Sequence, residues 1–144
     1  MLAESQTLLG RREQAGPGVA KALGITPGDA VIHWKRLRYA DNSPMCVEDA
    51  YLNEVLLPGF LQAAMPTSLF DALAARGLRP TWAEDSITSD RANAEEATLL
   101  QIKEGDPVLL VARRALAGEK PVEVSRSAYR AERFTLWVQL GQES

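Results

Sequence analysis

Residues Ala20–Val47 slide onto Ala97–Val124, 77 positions later, without a gap, and ten of the twenty-eight aligned pairs are identical. The identities include Leu23/Leu100, Gly28/Gly105, Asp29/Asp106, Arg36/Arg113, Pro44/Pro121 and Val47/Val124. A single-domain chain of 144 residues that carries one segment twice is built from two like halves. Each copy has the same local logic. An Ala/Leu-rich stretch (Val19–Leu23, Ala94–Leu100) has helical spacing, with Asn93 as N-cap of the second. Gly-Asp then breaks the helix, glycine being the residue that most readily turns left-handed there. Extended stretches follow at Val31–Tyr39 and Val108–Leu116. Turns of Asp, Asn and Gly type lead to second strands that open with Pro44 and Pro121, where a missing N–H does little harm.

Between the copies, Thr67 or Ser68 caps a helix over Leu69–Arg76 whose apolar stripe is Leu69, Phe70 and Leu73 and which Gly77 ends. Thr7–Gln14 and Thr81–Asp90 read as further strands. The order is βαββααβαββ. It predicts an α+β fold, a six-stranded and mainly antiparallel sheet with helices laid on one side, preceded by a tail at residues 1–6.

Alternation along the strands sorts their side chains into faces. Ile32, Trp34, Arg36 and Arg38 share one, Cys46, Glu48, Ala50 and Leu52 belong together, and so do Glu123, Ser125, Ser127 and Tyr129. One sheet face thus gathers Arg36, Arg38, Glu48, Glu123 and Tyr129 beside Ile32 and Trp34. Arginine presents a planar fork that fits carboxylate or phosphate, while Glu and Tyr select hydroxyl or amide groups. Two readings stay open on alternation alone: a grip for a small polar anion, or a solvated face with weak surface ion pairs.

Several function classes fall away. Sixteen Lys+Arg against nineteen Asp+Glu give a net charge of -3, so no general attraction to nucleic acid or anionic membranes exists. Arg126, Arg130 and Arg133 form a modest basic cluster suited to solubility or a subunit contact. The single cysteine excludes a disulfide scaffold, and His33 with Cys46 is too little soft ligation for an ordinary zinc site. His33 lacks a nucleophile to activate and reads as structural or surface, and Cys46 as a small buried hydrophobe. No apolar run approaches the ~20 residues that span a bilayer. A soluble, cytoplasmic domain without cofactor or metal is expected.

The residues also carry a family likeness. Leu23-Gly24-Ile25, Pro27-Gly28-Asp29 and Val31, then Arg36-Leu37-Arg38, Tyr39-Ala40-Asp41, Pro44, Glu48 and Tyr51-Leu52 resemble the UTRA domain. So do Ser68-Leu69-Phe70, Gly105-Asp106-Pro107-Val108, Pro121-Val122-Glu123 and Tyr129-Arg130. UTRA domains are the effector-binding halves of HutC-type regulators of the GntR family, and the resemblance covers about residues 7–140. It implies a chorismate-lyase-like fold, a homodimer, and a small-molecule pocket that controls a DNA-binding domain. Members that bind amino-sugar phosphates use an Arg-x-Arg strand, a Glu on the next strand, a Ser opening a helix, and a late Glu with a Tyr six residues on. Arg36, Arg38, Glu48, Ser68, Glu123 and Tyr129 match that pattern, which implies a small anionic effector, a phosphorylated sugar or a carboxylate. The same Arg-x-Arg element serves other effectors in the family. The winged helix-turn-helix that normally precedes the domain is absent from this chain, and the Ser/Thr segment that usually precedes the first strand is missing or cut short. DNA is therefore expected to be a partner only through that absent N-terminal domain. The rival from a different class is a chorismate-lyase-like enzyme, for which no distinct proton donor stands out.

Overall fold

A computed structural model describes residues 3–137, together with 139 and 141. Six strands form one sheet: β1 (Ala3–Gln14), β2 (Ala30–Ala40), β3 (Ser43–Asn53), β4 (Trp82–Arg91), β5 (Pro107–Ala117) and β6 (Lys120–Arg130). Three helices accompany them: α1 (Pro17–Leu23), α2 (Leu69–Ala75) and α3 (Ala94–Leu100). The order across the sheet is β1-β2-β3-β6-β5-β4, and every neighbouring pair is antiparallel.

The duplication runs further than the sequence identities. Shifting α1, β2 and β3 by 77 residues lands on the bounds of α3, β5 and β6, and β1 maps onto β4. The unit is therefore a strand, a helix and a hairpin. Its turns repeat bond for bond: Gly28 N–H donates to Ala15 and Gly105 N–H to Ala92, while the Asp29 and Asp106 carboxylates accept from Thr26 and Lys103 N–H, each at 3.0 Å. The two Gly-Asp pairs are thus turn formers, with Gly28 at φ 94° and Gly105 at φ 89°. Neither is the helix end expected from the sequence. Gly24 and Gln101 close α1 and α3 in the left-handed conformation instead. Asn93 caps α3 as expected, in a reciprocal box with Glu96. β3 meets β6 so that Asp49 faces Arg126, its own counterpart in the repeat, which puts the pseudo-two-fold between those two strands.

The helices do not lie on one side. On one face Ala20 and Leu23 of α1 pack with Val31 and Val124, and Ala97 and Leu100 of α3 pack with Leu37, Val47 and Val108. On the other face Leu69 and Leu73 of α2, with Leu57 and Phe60 from short 3-10 turns, cover Ile32, Trp34, Ala50 and Leu52. The loop between the repeats supplies this second cover, and the repeat pattern could not reveal where it would lie. The 3-10 turns stand where a fourth helix was expected. β1 begins at Ala3, inside the expected tail. Phe70 is exposed, not part of the buried stripe.

Candidate functional site

Strand register arranges the α2 face as a grid. Arg38, Cys46 and Tyr129 form one row; Arg36, Glu48, Ser127 and Val111 form the next. Trp34, Ala50, Ser125, Arg113 and Asp85 follow, then Ile32, Leu52, Glu123 and Ala115. Over the polar end of this grid a cavity of about 590 Å³ opens, roofed by Thr67–Phe70 and Leu73 and flanked by Pro80–Ala83. Arg36, Arg38, Glu48, Ser68, Glu123 and Tyr129 all line it. The structure therefore brings together every site residue expected from the sequence.

Their states differ. Arg36 is buried, lies 4.2 Å over the Trp34 ring, and pairs directly with Glu48, while its Nε has no hydrogen-bond partner. Arg38 is partly exposed and meets Glu48 only at 3.6 Å, too long for a hydrogen bond. Its donors are the least committed in the cavity. Ser68 caps α2 by accepting from Asp71 N–H at 3.2 Å, which leaves its own hydroxyl proton to give. Burial pushes the Tyr129 phenol up to about 12, with neighbouring Cys46 and Glu48 adding to the rise, so it stays a neutral donor. Cys46 is buried and free, its thiol likewise raised to about 12 by burial first and by Glu48 second.

Glu123 is the least settled group. Arg36 is taken by Glu48 and Arg113 by Asp85, and no ion pair or hydrogen bond among the described residues holds the Glu123 carboxyl. Burial, helped by the charge of Glu48 and opposed by Arg113 and Arg36, raises it to about 7.

Sequence reasoning misses Arg113, which lines the cavity, and Asp85, the carboxylate that holds it. Arg113 carries a bidentate pair to Asp85 at 2.7 and 2.9 Å, which holds Asp85 below the ordinary carboxylate range. Its signal was present, because Arg113 is the repeat counterpart of Arg36; Asp85 had none. On the opposite face His33 is buried, stacks on Tyr51 and sets its ring nitrogens 3.0 Å from Glu13 and 2.7 Å from Asp49, a structural role. Arg126 and Arg130 pair with Glu96 and Glu132, which neutralises most of the basic cluster. No group of His, Cys, Asp and Glu among the described residues suits a metal ion.

The sequence profile of the UTRA domain family matches residues 2–135. The chain belongs to that family, a domain of GntR-family transcription regulators. It is 31% identical over 124 residues to the histidine utilization repressor of Pseudomonas putida, covering 86% of this chain and 50% of that protein. It thus spans about half the length of that relative. The C-terminal domain of the histidine utilization repressor from Pseudomonas syringae pv. tomato superposes with a TM-score of 0.87 at 26% identity, covering 98% of this chain and 100% of that one. The effector domain of PhnF from Mycobacterium smegmatis gives 0.93 at 24% identity, covering 98% and 88%, a likeness of fold. These UTRA relatives are named regulators, not enzymes. No described helix of this UTRA domain is long and apolar enough to cross a membrane.

The Glu123 carboxyl has a thermodynamic consequence. A carboxyl raised on folding binds more protons in the folded state, so stability falls as pH rises from its ordinary 4.5 through about 7. Glu123→Gln removes that charge. Denaturant unfolding at pH 8 should find the variant more stable than wild type by roughly 2 kcal/mol, with the gain vanishing near pH 4.5. An equal difference at both pH values would contradict the buried-carboxyl account.

Proposed function

We propose that this domain senses a small anionic effector and passes its binding to an N-terminal DNA-binding domain of a cytoplasmic regulator. The observation that carries the reading is the uncommitted Arg38 guanidinium beside the Arg36–Glu48 pair in one roofed cavity. Arg38 and Arg36 hold the anionic group, a phosphate or a carboxylate. Glu48 and Glu123 accept from ligand hydroxyl or amide groups, and Ser68 and Tyr129 donate. Hydroxyls of Thr67, Ser125 and Ser127 line the same space, which favours a ligand rich in polar groups.

Transmission has two routes. α2 roofs the cavity with Ser68 and Phe70 while Leu69 and Leu73 anchor it in the core, so a ligand that repositions Ser68 moves the helix. β1 places Ser5 opposite Arg38 and Thr7 opposite Arg36, so a domain entering through β1 joins the sheet beside the ligand arginines. Either route shifts an equilibrium only by the ligand's differential affinity for two arrangements.

Thermal unfolding against phosphorylated sugars and small carboxylates tests the proposal, because a ligand at 100 times its Kd adds ~2.7 kcal/mol. Arg38→Ala should weaken an identified ligand at least about tenfold in calorimetry, the loss of one charge-assisted hydrogen bond. Unchanged affinity in a folded Arg38→Ala protein would move the site elsewhere. Arg36→Ala is the poorer probe, since it strands the buried Glu48 carboxylate and destabilises the fold.

The domain acts as a homodimer. Every residue of edge strand β4 is exposed, Trp82 and Ile87 included, and an edge of ten residues open on both faces calls for cover. Sedimentation at micromolar concentration should give a dimer; a lone 15.7 kDa species would contradict this.

A further inference from the structure

The Arg113–Asp85 pair stands outside the set of residues that the sequence pattern assigns to the effector. It lies on β5 and β4, and Arg113 lines the same cavity as Arg36 and Arg38 on β2. Two strands, β3 and β6, separate β2 from β5, which puts the backbones that carry the arginines roughly 14 Å apart. The cavity therefore has a basic group at each side. Both are repeat counterparts held by a carboxylate: Arg36 by Glu48, Arg113 by Asp85.

Asp85 does not use up its arginine. It engages Nε and Nη2 of Arg113, and a guanidinium carries five N–H donors, so Nη1 and part of Nη2 remain. A carboxylate clamped on one edge also fixes the plane of the fork, which orients the other edge. Half of the Arg113 side chain is exposed, so those donors are reachable by a ligand. Between the two basic sides lie Glu123, Ser125 and Ser127, groups suited to hydroxyls rather than to a further anion.

We propose that Arg113, oriented by Asp85, is a second anion anchor, and that the effector carries anionic groups at both ends of a hydroxylated chain. This rests on the effector-sensing reading above, with Arg38 and Arg36 taking the first anion. Arg113 then sets specificity: it separates ligands with two anionic ends from those with one.

Two matched pairs of probes test this, each pair differing only in a carboxylate against a hydroxymethyl group. They are 6-phosphogluconate against sorbitol 6-phosphate, and 3-phosphoglycerate against glycerol 3-phosphate. Calorimetry on wild type should show the carboxylate member of at least one pair binding about tenfold tighter or more. In Arg113→Gln that ratio should fall to about one, and in Asp85→Asn it should shrink, because the fork loses its orientation. In Arg38→Ala both members should weaken together. Equal binding within both pairs, or an advantage that survives Arg113→Gln, overturns the second anchor while leaving the effector-sensing reading intact. Failure of all four phosphates, and of the small carboxylates, to bind at millimolar concentration overturns both. The altered side chains are partly exposed, and denaturant unfolding of each variant verifies that it folds.

Discussion

A buried ion pair, Arg36 with Glu48, sits at the centre of the sheet face on which everything else in this domain depends. Taking two charges out of water is expensive, and an apolar pair of equal size is often at least as stable. Here the expense is partly offset by the Trp34 ring beneath the guanidinium. Nothing about folding requires the pair at that point of β2 and β3, because the neighbouring row of the grid, Trp34 beside Ala50, is apolar and fully buried there. The proposed effector site in the cavity above gives a reason for its presence. Glu48 restrains Arg36 and, more loosely, Arg38, so a cationic surface waits there already oriented.

The duplicated architecture explains why the site is one-sided. The halves agree where the backbone must turn, at the Gly-Asp turns and helix positions, and differ where chemistry is needed. Arg38 becomes Ala115 in the second half, Glu48 becomes Ser125, Cys46 becomes Glu123 and Trp34 becomes Val111. The bulky, charged half lies against α2; the smaller side chains of β5 and β6 leave the space. Arginine alone is kept in both, at Arg36 and Arg113, and each found its own carboxylate.

Much of this was legible in the sequence, for a definable reason. An exact 77-residue offset fixes which hairpins are alike, and strand alternation then groups Arg36 with Arg38, Glu48 with Cys46, and Glu123 with Tyr129, groups that the strand register unites on one face. What alternation cannot supply is the third dimension. The side that α2 would cover, the roof made by Thr67–Phe70, and the meeting of Asp85 with Arg113 depend on how the inter-repeat loop folds back and on register between β4 and β5. Helix ends were misread because Gln101 takes a left-handed backbone usually left to glycine or asparagine, while Gly28 and Gly105 serve the following turn. His33 looked idle in the sequence because its partners, Glu13 and Asp49, come from two different strands.

The central claim is that the Arg36–Glu48 pair is retained for binding and not for stability. Replacing both residues together, Arg36→Met with Glu48→Leu, tests it most directly, since each single variant strands a buried charge and the double variant does not. Unfolding free energy and phosphate-ester binding are measured on the same four proteins. The account predicts that the double variant recovers wild-type stability or exceeds it, yet loses the ligand response. A double variant that still binds the ester with wild-type affinity, or one as unstable as the worse single variant, would contradict it.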